Sequence, residues 1–112
     1  MTGGPNADAF GAAIEDVDRL IVPTICLYEV YRRFRSQRDE PAALDVIGTM
    51  MEGRVVDLDS ALALTSARLG LEHRLHLADS VIYATARAFD ATLWTQDADF
   101  EGLEGVRYFP RN

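Results

Sequence analysis

The sequence predicts an α/β fold, a three-layer α/β/α arrangement around a mainly parallel sheet. Short apolar runs end at turn residues, as in Leu20-Ile-Val-Pro23, Arg54-Val-Val-Asp-Leu58 and Ala91-Thr-Leu-Trp-Thr95. Between them lie segments of about 10–15 residues with apolar positions at helical spacing, the alternation that builds βα units. The chain has 112 residues, and area scaling buries about two thirds of its unfolded surface, enough for one core. One domain over residues 1–112 is therefore expected, with no repeat or linker dividing it.

Asn6 is placed to cap a first helix running to about Val17, with Phe10, Ala13 and Ile14 on its apolar side. Leu20–Pro23 follows as a buried strand. Thr24 is positioned to cap a second helix to about Arg38, which carries Leu27, Val30, Tyr31 and Phe34 at helical spacing. Pro41 suits the first turn of a third helix ending near Gly53. After the strand at Arg54–Leu58, Asp59 caps a fourth helix to about His73, and a fifth covers Leu77–Phe89. The strand Ala91–Thr95, a turn or short helix at Asp97–Gly102 and a last strand at Val106–Phe109 complete the chain.

Eighteen acidic residues against eleven basic ones give a net charge of −7, and every basic residue is arginine. That balance argues against sequence-independent adhesion to nucleic acid through bulk charge. It is compatible with handling a phosphate through a bound cation. The single cysteine, Cys26, excludes an internal disulfide framework and reads as a small core residue. The N-terminal residues lack the basic and apolar regions of a secretory signal, and no run reaches the ~20 apolar residues of a membrane span. A cytoplasmic protein is expected.

Four carboxylates stand in apolar company. Glu29 lies within Ile25-Cys-Leu-Tyr-Glu-Val-Tyr31, and Asp79 within Leu75-His-Leu-Ala-Asp-Ser-Val-Ile82; Asp97 and Asp99 follow the strand that ends at Thr95. Each has a simple structural role open to it. Glu29 can pair with Arg32 or Arg33, Asp79 can complement a helix dipole, and Asp97 can cap the turn before Phe100. All but Asp99 fall close to a strand's carboxyl end or a helix's first turn, and open α/β sheets bind ligands outside the carboxyl ends of their strands. Clustered carboxylates repel unless protons or a cation lie between them. Hard oxygen donors suit Mg²⁺ or Mn²⁺, and the chemistry that follows is metal-assisted hydrolysis of a phosphodiester.

The segments Ile21–Phe34, Leu77-Ala-Asp-Ser-Val-Ile-Tyr-Ala-Thr-Ala86 and Ala91-Thr-Leu-Trp-Thr-Gln-Asp-Ala-Asp-Phe100 closely resemble PIN-domain ribonucleases, and among these the VapC-like toxins of bacterial toxin–antitoxin pairs. The resemblance runs from about residue 5 to the C-terminus. It implies Glu29, Asp79 and Asp97 as catalytic, metal-site carboxylates and Asp99 as an accessory one. Thr95 corresponds to a hydroxyl residue lining such sites, and Arg32 and Arg33 are weaker candidates for RNA phosphate. It further implies endoribonuclease activity with Mg²⁺ or Mn²⁺, an RNA substrate such as tRNA, a small antitoxin and a homodimer.

The family's opening strand, apolar and ending in Asp, has no counterpart before Asn6, and Asp8 is no substitute. That strand is central in the family's sheet, between those at Leu20–Pro23 and Ala91–Thr95. The expectation is an N-terminally shortened domain whose halves close on each other or accept a strand from a partner. It leaves a second reading open, a catalytically inactive module that binds an antitoxin or dimerises without cleaving RNA.

Overall fold

The computed structural model describes residues 12–16 and 19–110. In chain order the elements are β1 (Ala12–Asp16), β2 (Arg19–Pro23), α1 (Thr24–Gln37), α2 (Glu40–Met50), β3 (Arg54–Val56), α3 (Ser60–His73), α4 (Leu77–Ala88), β4 (Thr92–Thr95), a 3₁₀ turn (Ala98–Phe100) and β5 (Val106–Tyr108). The five strands form one sheet in the order β3-β2-β1-β4-β5. β2 runs parallel to β3 and β4 parallel to β5, whereas β1 is antiparallel to both neighbours. Four of the five strands thus share a direction, as the α/β reading expects.

β1 corrects the first expected helix. Residues 12–16 are a strand, and the rest of that helix, 6–11 and 17, lies outside the described residues. Ile14 sits opposite Ile21 on one side and Leu93 on the other, and Ala12 is opposite Thr95. The physical reason is the slot between β2 and β4. Two strand edges with unpaired backbone groups inside a core satisfy them by taking a strand between them, and this outweighs the modest helix preference of alanines. Residues 12–16 fill the position that the sequence left as an open seam. Ala13 and Ile14 point to opposite faces and are both buried, so the sheet is covered on each side here.

The remaining elements follow their sequence signals closely. Pro23 ends β2 and serves as the N-cap of α1 without a side-chain cap bond, so Thr24 is the first helical residue and not the cap. Asp39 Oδ1 accepts from the Ala42 N–H at 3.0 Å and Asp59 Oδ1 from the Leu62 N–H at 2.8 Å, each satisfying a free donor of a first turn. α3 ends at Arg74 in the left-handed region (φ 58°). The core has two parts. Ile14, Ile21, Ile82, Tyr83, Leu93 and Phe100 gather around β1 and α4, while Val22, Val30 and Met50 join β2 to α1 and α2.

α3 and α4 meet at Gly70, where an added Cβ would collide with Ser80 Oγ. Ser80 Oγ donates to the carbonyl of His76 at 2.8 Å. This contact seats the first turn of α4, and with it the neighbouring Asp79.

Candidate metal centre

Asp79 is the third residue of α4, and Asp97 follows β4 by two positions. The fold brings both to the same end of the sheet. Thr95 is fully buried at the last position of β4, and its hydroxyl accepts the Asp97 N–H at 3.0 Å. Asp97 Oδ1 in turn accepts the Asp99 N–H at 2.9 Å. Buried Phe100 anchors the 3₁₀ turn beneath these residues. The capping role open to Asp97 from sequence is therefore real, and it leaves the second carboxylate oxygen uncommitted by that bond.

Asp79, Asp97 and Asp99 each offer one carboxylate oxygen, and these atoms all lie within 4.8 Å of one another. Asp79 and Asp97 are half-buried and Asp99 is exposed. Burial first, then the charges of Asp97, Asp99 and Glu29, pushes the Asp79 carboxyl up from 3.8 to about 6, with His76 pulling the other way. A cation among these oxygens removes the cause of the repulsion. The donor set is all oxygen, which fits a hard divalent ion.

Glu29 stands apart. It is exposed on α1 and outside the group of three, although its charge acts on Asp79. No ion pair to Arg32 or Arg33 forms among the described residues. Glu29 and Arg33 line a cavity of about 310 Å³ whose other walls include Ile14, Cys26, Val30 and Met50. Burial, then Glu29 and Asp79, push the Cys26 thiol up to about 12. It is protonated near neutrality and is no nucleophile.

Two contributions escaped the sequence reading. Gly70 and Ser80 act together to seat Asp79, and the only local signal is a serine able to bond back to the carbonyl four residues earlier. Tyr28 stands exposed on α1, four residues before Arg32, inside a stretch that reads as apolar.

The family model for the PIN domain matches residues 1–106. The chain belongs to the PIN-domain family. PIN domains are in general nucleases that use a divalent metal, and the three aspartates lie at the carboxyl end of β4, the end at which open α/β sheets in general bind ligands. The chain is also similar to a solved toxin–antitoxin complex from Klebsiella pneumoniae, with a TM-score of 0.69 and 25% identity over 81% of this chain and 75% of that one. No curated protein matches it.

The raised Asp79 carboxyl gives metal-free protein a pH dependence of definite sign. Between about 4 and about 6 the folded state holds a proton that the unfolded state has lost, so this contribution to stability falls as pH rises through that window. The full linkage is about 3 kcal/mol. Solvent at the half-exposed carboxyl reduces it to ~1 kcal/mol. Asp79→Asn should match wild type at pH 4 and melt about 4 °C higher at pH 7 without metal. Equal melting temperatures at both pH values would show that neither burial nor the neighbouring carboxylates raise the Asp79 carboxyl.

Proposed function

We propose that this chain is a metal-dependent endoribonuclease of the VapC-like kind, the toxin of a toxin–antitoxin pair, hydrolysing RNA phosphodiesters in the cytoplasm. The observation that carries the reading is the approach of Asp79, Asp97 and Asp99 to within 4.8 Å in a PIN domain. Asp79 and Asp97 would hold Mg²⁺ or Mn²⁺, with Asp99 as an accessory ligand and Glu29 as an outer carboxylate. The ion supplies activation of water and charge stabilisation at the phosphate. The chain's own part is positioning. Thr95 and the Asp99 N–H fix Asp97, while Ser80 and Gly70 fix Asp79. Arg32 and Arg33, both exposed on α1, are the phosphate-binding candidates.

The partners follow from the same reading. The structural neighbour is a toxin–antitoxin complex, which supports a small antitoxin as the binding partner. Leu64 and Leu71, two turns apart and exposed on α3, offer an apolar stripe for a homodimer. No described helix is long and apolar enough to cross a membrane.

One observation favours the second reading, an inactive module that binds an antitoxin without cleaving RNA. β1 runs antiparallel, so the backbone of Ala12 lies beside Thr95 where a parallel strand would bring its carboxyl end. Among the described residues no carboxylate from the sheet's centre joins the three aspartates. Cleavage of labelled tRNA or mixed RNA with Mn²⁺ or Mg²⁺, and its loss in EDTA, separates the two. Cleavage that persists in EDTA sinks the metal mechanism, and antitoxin binding without cleavage supports the inactive module.

A further inference from the structure

We propose that the outer face of α1 is a docking surface for single-stranded RNA, with Tyr28 stacking on an unpaired base and Arg32 and Arg35 contacting the phosphates beside it. This rests on the nuclease reading and specifies how its substrate is held. At 100° per residue, Tyr28, Arg32 and Arg35 fall on one stripe of the helix, at i, i+4 and i+7. Val30, with Leu27 and Phe34, occupies the opposite side and packs into the core. Tyr31 is turned toward α2, donating to Glu40 Oε2 at 2.9 Å. Glu29 and Arg33 lie on the other flank and line the cavity. The stripe is left to solvent. Tyr28 is 61% exposed, and both arginines are exposed with no ion pair among the described residues.

Two arginines elsewhere in the fold are engaged: Arg87 pairs with Glu104 at 3.4 Å, and Arg54 lies over the Phe89 ring. Arg32, Arg33, Arg35 and Arg38, four of the chain's eleven, fall within seven residues. A protein of net charge −7 repels a polyanion as a whole, so its attraction must come from a local concentration of this kind. The stripe spans about 10 Å along the helix axis, from Tyr28 to Arg35. Glu29, whose charge acts on Asp79, lies a quarter turn around the same helix. A strand lying along the stripe is therefore led toward the aspartates. An exposed ring needs a base outside a duplex to stack on, which makes the substrate segment single-stranded. Of the phosphate-binding candidates on α1, this geometry keeps Arg32, adds Arg35 and gives Arg33 to the cavity wall.

The test is fluorescence anisotropy of a short labelled single-stranded oligoribonucleotide in Ca²⁺, at several salt concentrations, with the same sequence as a duplex alongside. Tyr28→Ala should weaken single-strand binding about tenfold and leave the duplex unaffected, and Tyr28→Trp should restore it. Arg32→Ala and Arg35→Ala should each lower the salt slope by about 0.7, while the surface control Arg68→Ala leaves it unchanged. Wild-type affinity and slope in all three stripe variants would overturn the proposal. So would loss of antitoxin binding with RNA binding intact, which would make the stripe a protein-docking face. Mn²⁺-dependent cleavage by wild type, measured in parallel, reports separately on the nuclease reading.

Discussion

Asp79→Asn and Asp97→Asn should each lower metal-dependent RNA cleavage by about 100-fold or more, and the double variant should be little worse than either single one. Asparagine keeps the shape of the side chain and removes the negative charge that a hard cation needs. Losing one group that stabilises charge at the reacting phosphate costs about 10²–10³ in rate. Residues that serve one ion act as a unit, so their losses do not multiply. Glu29→Gln should cost less, about tenfold, because Glu29 stands outside the three aspartates and acts on them through its charge. Cys26→Ala should retain activity, since burial keeps its thiol protonated. Initial rates on labelled RNA at saturating Mn²⁺ measure all of these. Losses that multiply in the double variant would assign the two aspartates to separate functions.

The second large effect is on folding. Ile14 is 2% exposed at the centre of the sheet, opposite Ile21 and Leu93. Ile14→Ala should cost about 3 kcal/mol in urea unfolding, as lost transfer energy plus the cavity left behind. Ile14→Asp should not fold, because an unpaired carboxylate at that position has neither solvent nor a cation. A loss under about 1 kcal/mol would contradict a buried position for Ile14 at the centre of the sheet.

Much of the fold is legible in the sequence because its signals are local. Pro41 sits in the first turn of α2, Asp59 caps α3 by accepting a first-turn N–H, and Leu93 and Thr95 alternate inward on β4 as a strand period requires. β1 was not legible. Ala12-Ala-Ile-Glu-Asp16 carries a weak helical pattern, and its conformation is set by β2 and β4, elements distant in sequence, one of which pairs with it only after a long loop closes. The same distinction runs through the candidate site. Asp79, Asp97 and Asp99 stood out as carboxylates in apolar company, and the fold gathers them. The separation of Glu29 from that group depends on how α1 is rotated about its axis, which no spacing along the chain records. The seating of Asp79 by Gly70 depends likewise on how closely two helices approach.

The central claim is that the three aspartates hold a divalent cation, and calorimetric titration of the purified chain with Mn²⁺ tests it most directly. Wild type should bind Mn²⁺ at a saturable site, and Asp79→Asn or Asp97→Asn should weaken that binding by at least about tenfold. Glu101→Gln, which alters an exposed carboxylate outside the group, should leave it unchanged. Binding of Mn²⁺ that is the same in wild type and in both aspartate variants would contradict the assignment.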